Sequence, residues 1–268
     1  MPASPYSPDT TKALYDLLAR LADTKNALGR DYAEWCSGAP TLESAVAAAA
    51  MAQDELGHAR ALYPLLRTLA PEAGPETDPE TRTVHVNHAF VTNPFATWED
   101  FVTANFLVDV AMTTIFTAAA HSSYEPLAGR SRKALQEEQL HTVHGEAWVR
   151  RLSRASAASK NALTAALRGA WDETLCWFGP QADGDPLADA GILDATPDQL
   201  RARFLATVGP TIAAAGLDLP IRPASHGSGY ELTTALPWAR WDAATYRLAP
   251  AANDVRATAP HAQVGEGQ

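Results

Sequence analysis

Two segments of this chain carry a glutamate followed three residues later by a histidine: Glu55-Leu56-Gly57-His58 and Glu138-Gln139-Leu140-His141. On a helix, that spacing places a carboxylate and an imidazole on one face, one turn apart. One such pair can ligate a transition metal, and two pairs facing each other across a bundle can hold two. A single Glu-x-x-His is weak evidence because it arises often by chance in a glutamate-rich helix. Two of them, 83 positions apart and both on apolar stripes, carry much more weight.

The stripes come from helical periodicity. Leu127, Ala134, Glu138, His141, Gly145, Trp148 and Leu152 share one face. Ala45, Ala48, Ala52, Glu55, Ala59, Leu62, Leu66 and Leu69 share another, with His58 beside it. Charged residues at core positions need a partner or a metal. Asp54, Glu137 and His144 fall off the stripes and are expected on solvated helix surface.

Further ligands follow from folding each helix pair back on itself. A turn near Tyr124 sets Glu138 opposite Asp109, a lone acid in the apolar run Phe106-Leu107-Val108-Asp109-Val110-Ala111-Met112. A turn near Gly38 sets Glu55 and His58 opposite residues 19–25, where the stripe Leu14, Leu18, Leu21, Leu28, Tyr32 and Trp35 passes through Lys25. A dinuclear centre would want a carboxylate there. Asp23 is expected to point away from the stripe, and Glu34 lies too close to the turn to reach.

These residues need helices to position them. Punctuation predicts helices over about 10–35, 42–70, 98–121, 126–153, 160–178 and 196–216. Residues 71–94 form a long polar connection, residues 220–250 an irregular tail anchored by Trp238 and Trp241, and residues 251–268 a disordered end. Residues 1–250 read as one domain. The formal charge of −10 argues against a nucleic-acid partner. No run of 18 apolar residues suggests a membrane span, and the N-terminus lacks a signal-peptide pattern. Two cysteines, Cys36 and Cys176, suggest the reducing cytoplasm.

The chain resembles the phenylacetyl-coenzyme A epoxidase oxygenase family of bacterial aromatic-acid catabolism. The resemblance rests on Glu34-Trp35-Cys36 with Gly38-Ala39-Pro40-Thr41-Leu42, Gln53-Asp54-Glu55-Leu56-Gly57-His58, Leu107-Val108-Asp109, Glu137-Glu138-Gln139-Leu140-His141, Trp177-Phe178-Gly179-Pro180 and Asp198 to Phe204. It covers roughly residues 10 to 245. It implies an all-α, ferritin-like four-helix bundle with additional C-terminal helices. It also implies either of two roles, since the family holds a di-iron catalytic subunit and a structural subunit that has lost its ligands. Glu55, His58, Asp109, Glu138 and His141 match catalytic-subunit ligands, while Lys25 stands where that subunit has a glutamate. Glu34-Trp35-Cys36 looks more like the structural subunit.

Charge counting bears on the choice. Two Fe(II) ions bring four positive charges, and Glu55, Asp109 and Glu138 supply only three negative ones. Lys25 could be neutral by desolvation, charged and bound to a small ligand, or the counter-ion of the acids with no metal present. The favoured expectation is a di-iron oxygenase component, with Glu55, Asp109, Glu138 and Lys25 as catalytic groups. It would bind two irons, or one if Lys25 weakens a position, and manganese less readily. The alternatives are a metal-free scaffold beside a catalytic homologue and a ferroxidase. The expected partners are a homologous subunit or second copy, a separate reductase, dioxygen and an acyl-coenzyme A. No cysteine cluster or glycine-rich nucleotide motif supplies electrons internally. Arg130, Arg132 and Lys133, or Arg150, Arg151 and Arg154, are candidate phosphate contacts.

Overall fold

In the computed structural model, which describes residues 5–227 and 229–250, the first helix begins where Ser7 caps it by accepting from the Thr10 backbone N–H at 3.1 Å. This helix, α1, spans Pro8–Gly38, and proline at its first position costs no hydrogen bond. α2, Leu42–Leu69, starts from a reciprocal cap between Thr41 and Ser44. The two run antiparallel over most of their length. Close approach is permitted by Gly29, where a Cβ would fall 2.7 Å from Leu56 Cγ.

α3, Trp98–Ala118, carries the most apolar stretch of the chain. By length and composition it could cross a bilayer, but 89% of its most apolar window is buried inside the protein. α4, Glu125–Ala155, completes a four-helix bundle. α5, Ala157–Cys176, packs on α3 and α4; a short α6, Pro186–Asp189, lies against α1; and α7, Pro197–Ala215, covers α3 and α4. Gly216 ends α7 in the left-handed conformation, φ 58°, which glycine adopts without steric cost. Buried side chains from α1 to α7 form one continuous apolar cluster.

The expected helices are all present, with ends displaced by a few residues. Two regions are more ordered than their sequence suggests. Residues 71–97 contain 3-10 turns at Pro71–Thr77 and Ala89–Val91, and they are pinned by Asp23. Asp23 is buried rather than turned to solvent. It accepts from Tyr63 at 2.8 Å, Arg82 at 3.1 Å and the Val86 backbone at 2.8 Å. The tail forms two small antiparallel ribbons, β1 (Ile221–Pro223) with β2 (Tyr230–Leu232), and β3 (Trp241–Asp242) with β4 (Arg247–Leu248). The second is clasped by Arg20, whose guanidinium lies 5.1 Å from the Trp177 ring and 3.8 Å from the Tyr246 ring. Periodicity does not register such long-range clamps. Residues 251–268, expected to be disordered, lie outside the described residues.

Candidate metal centre

The four bundle helices deliver five charged groups to one dry point. Lys25 comes from α1, Glu55 from α2, Asp109 from α3, and Glu138 and His141 from α4. None is more than 2% exposed. One ligand atom from each of Glu55, Asp109, Glu138 and His141 lies within 4.8 Å of the others, a grouping able to hold a metal ion. His58, the fifth expected ligand, stands at the edge. Its Nε2 lies 2.6 Å from Glu137 Oε2, and its Nδ1 lies 3.3 Å from Glu138 Oε1 without hydrogen-bond geometry.

Lys25 occupies the middle. Its ammonium donates to Glu55 Oε1 at 2.9 Å, Asp109 Oδ1 at 2.6 Å and Glu138 Oε1 at 2.5 Å. An ammonium has three donors, and all three are used. Burial alone would drive this lysine toward neutrality, but Asp109, Glu138 and Glu55 together outweigh it and hold its pKa well above the ordinary value. The neutral-lysine alternative is therefore disfavoured.

The acids respond unequally. Burial raises Asp109, but Lys25 and His141 overcome that and hold it well below the usual range. Glu55 is pushed up to about 7 by burial and by Asp109, against the pull of Lys25. His141 faces the same burial penalty, yet Asp109 and Glu55 raise it to about 11. Its Nδ1 lies 3.0 Å from Asp109 Oδ2 and 3.2 Å from Glu55 Oε1. Three carboxylates thus face two cations, Lys25 and His141.

The surrounding groups include several that the helical stripes assign elsewhere. Asp54 and Glu137 are not plain solvated surface. Each precedes one motif glutamate and reaches across to the other motif's imidazole: Asp54 Oδ2 to His141 Nε2 at 3.3 Å, and Glu137 Oε2 to His58 Nε2 at 2.6 Å. The doublets Asp54-Glu55 and Glu137-Glu138 were the available signal. A position beside the stripe points at the neighbouring helix when two helices pack side by side. His144 is half-buried, with Nδ1 3.0 Å from Asn105 Oδ1, and burial lowers it to about 4.

Asn105 is the residue that sequence reasoning missed altogether. Its amide donates to the His141 carbonyl at 3.2 Å and toward Asp109 Oδ2 at 3.4 Å. It belongs to a π-helical turn, Ala104–Asp109, within α3. Such one-residue insertions sit often at functional sites, because they re-aim side chains that a regular helix would turn away. Gly145 on α4 makes room, since a Cβ there would meet Asn105 Oδ1 at 2.9 Å. Thr113 donates to Glu138 Oε2 at 2.8 Å. The Tyr32 hydroxyl, also from α1, is fully buried without a hydrogen-bond partner, and burial plus the three acids keep it protonated.

A cavity of about 480 Å³ opens beside His58 and Phe116, with Arg60, Arg130, Lys133 and Glu137 among its walls. Arg132 pairs with Glu125, while Arg150 pairs with Glu146. Among the described residues, the remaining histidines and cysteines do not join the centre. His88 is fully buried, and its Nδ1 accepts from the Phe90 N–H at 3.1 Å. Cys36 donates to the Tyr32 carbonyl at 3.7 Å.

As these side chains stand, they fit an ammonium better than a pair of iron ions. Lys25 donates to one oxygen of each of Glu55, Asp109 and Glu138, and His58 is turned toward Glu137. The fold and site define a class: a helical bundle with two helix pairs, each contributing a Glu-x-x-His to a buried polar centre. The chain belongs to the family of phenylacetic acid catabolic proteins, whose family model matches residues 1–232. It is 29% identical over 212 residues to one of the subunits of 1,2-phenylacetyl-CoA epoxidase from Escherichia coli (strain K12). That match covers 78% of this chain and 85% of the relative.

Proposed function

We propose that this protein is the metal-free companion subunit of a phenylacetyl-coenzyme A epoxidase-like oxygenase, paired with a homologue that carries the catalytic iron. The observation that carries this reading is the Lys25 ammonium bound to all three carboxylates at 2.5–2.9 Å. A positive charge at that point satisfies the acids that metal ions would otherwise need to neutralise. The likeness to one subunit of an epoxidase supports membership of a multi-subunit assembly. In this role the centre ties four helices together and keeps the bundle in the family's shape, while oxygen chemistry and the acyl-coenzyme A belong to the partner. Electrons for that partner would come from a separate reductase.

A second reading keeps the chain catalytic. The four ligand atoms within 4.8 Å favour it. Glu55, Asp109, Glu138 and His141 would hold the iron, which would supply dioxygen activation, with Lys25 displaced to its edge.

One measurement separates the two: iron per chain in anaerobically purified protein, with oxygen uptake on phenylacetyl-coenzyme A. The companion reading expects under a tenth of an iron per chain and no uptake without a partner. About two irons with substrate-dependent uptake would establish the catalytic reading instead. On the companion reading, Lys25→Glu is expected to raise iron occupancy; unchanged occupancy in that variant would mean that position 25 does not control the centre.

A further inference from the structure

We infer that Trp148, Trp98 and Trp35 form a one-electron relay, which carries an oxidising equivalent across the bundle and away from the Lys25 centre. The relay stands on its own geometry. Only the source of the oxidant, oxygen chemistry on an iron-bearing partner, rests on the companion-subunit reading.

The three indoles come from three helices and touch in a line. Trp148 on α4 meets Trp98 on α3 edge to face, with ring centroids 5.0 Å apart, and Trp98 meets Trp35 on α1 at 5.5 Å. Electron tunnelling falls off exponentially with distance, so a hole on one indole passes readily to another in contact with it. Aromatic clusters are commonly core packing, but one detail here goes beyond packing. The Trp98 indole N–H is buried and has no hydrogen-bond partner among the described residues. A stranded donor costs stability, which a purely apolar ring would avoid. The same isolation serves a relay: with no acceptor for its proton, oxidised Trp98 stays a radical cation and hands the hole on.

The two ends of the line differ. Trp148 lines a cavity of about 340 Å³ with Thr41, Ser44, His144 and Arg151, where a small oxidant can approach. The Arg151 guanidinium lies 4.6 Å from the centre of its ring, and a cation there opposes a resident hole. Trp35 lies in the last turn of α1, at the negative end of the helix dipole, which favours one. It is also half-buried, so its radical cation can release the indole proton to water. The hole therefore runs from Trp148 to Trp35. The branch toward the centre is closed. Trp98 stacks on Phe101 at 4.3 Å, and Phe101 meets Tyr32 at 4.7 Å. The Phe101 benzene ring is far harder to oxidise than indole, and the buried Tyr32 hydroxyl has no acceptor for its proton.

The electrons and protons balance. An oxygen-derived radical takes one electron from Trp148. Trp98 refills Trp148, and Trp35 refills Trp98. The Trp35 radical cation loses its Nε1 proton to water, and a small thiol returns one hydrogen atom to the neutral radical. The oxidant has then gained one electron, one proton has been released, and the thiyl radicals pair to a disulfide.

The test starts the hole at one end. In the full chain carrying Cys36→Ser, which leaves the buried Cys176 as the remaining native thiol, Ala147→Cys places a ruthenium polypyridyl label on exposed helix beside Trp148. Flash photolysis with a cobalt(III) ammine as electron acceptor oxidises the label. Transient absorption follows the indole radical, and peptide mass spectrometry locates the oxidised side chain. Oxidation is expected at Trp35, and added glutathione should prevent it. Trp98→Phe keeps a ring in the stack but breaks the relay, so oxidation should stay at Trp148 and be lost at Trp35. Trp35→Phe, at the half-buried end, should leave an indole radical cation in place of the neutral radical, and this variant decides the matter if Trp98→Phe does not fold by circular dichroism. Tyr32→Phe should change neither the site nor the yield. Undiminished Trp35 oxidation in Trp98→Phe, a neutral radical persisting in Trp35→Phe, or oxidation confined to Trp148 with the relay intact would overturn the inference. None of these results bears on iron content, so the companion reading stands or falls on its own assay.

Discussion

Replacing Lys25 by methionine tests the centre most directly. Methionine keeps a similar unbranched shape but removes the charge, leaving Glu55, Asp109 and Glu138 buried without their shared donor. At an effective dielectric constant of about 20, each pair near 2.7 Å attracts by roughly 6 kcal/mol before desolvation is counted. Desolvating the ammonium and three acids offsets much of that. The net cost of breaking such a buried pair is about 3–5 kcal/mol. For a chain of this size that lowers the melting temperature by roughly 6–20 °C. The cost should also depend on pH. Glu55 already sits at about 7, and losing Lys25, which pulls Glu55 and Asp109 down, moves both upward. An acid with a raised folded-state pKa favours the folded state at low pH and disfavours it as pH rises through that pKa. The deficit should therefore be largest at pH 8 and shrink at pH 5.5. Urea denaturation of both proteins at the two pH values reads it. Added Mn(II) should stabilise the variant and leave the wild type unmoved. Equal midpoints at pH 8 would refute the argument, because the ammonium would then contribute nothing net.

Other perturbations probe the supports of this centre. Gly145→Ala drives a methyl to within 2.9 Å of Asn105 Oδ1, so a loss of about 1–3 kcal/mol is expected in urea midpoints. Asp31, raised to about 7 by burial and by Glu34, holds its proton when folded and so favours the folded state below the unfolded pKa of 3.8. That contribution is lost as pH rises through 7, and Asp31→Asn should flatten the stability profile across this window. Arg20→Ala removes the cation stacked between Trp177 and Tyr246, and limited proteolysis should then cut residues 220–250 faster while the bundle survives.

Much of the architecture was legible in the chain because amphipathic periodicity and capping residues are local. Thr41 with Ser44 and Thr97 with Asp100 mark helix starts that the fold keeps. The convergence of Lys25, Glu55, Asp109, Glu138 and His141 was legible too, since a short turn fixes which residues face each other in an antiparallel pair. Other features were not. The π-helical turn at Ala104–Asp109 leaves no periodic trace, so Asn105 went unseen. Asp54 and Glu137 sit off their own helix's stripe, and only the neighbouring helix makes them inward-facing.

By itself, the sequence determined that acids, imidazoles and one lysine share a dry interior, because spacing along a helix dictates which side chains lie on its apolar face. Only the tertiary structure decided how those charges pair. Which oxygen meets which donor depends on the depth and rotation of four helices relative to one another, set by packing at points such as Gly29 against Leu56 and Gly145 against Asn105. That packing puts the ammonium of Lys25, rather than an edge position, at the shared focus of three carboxylates.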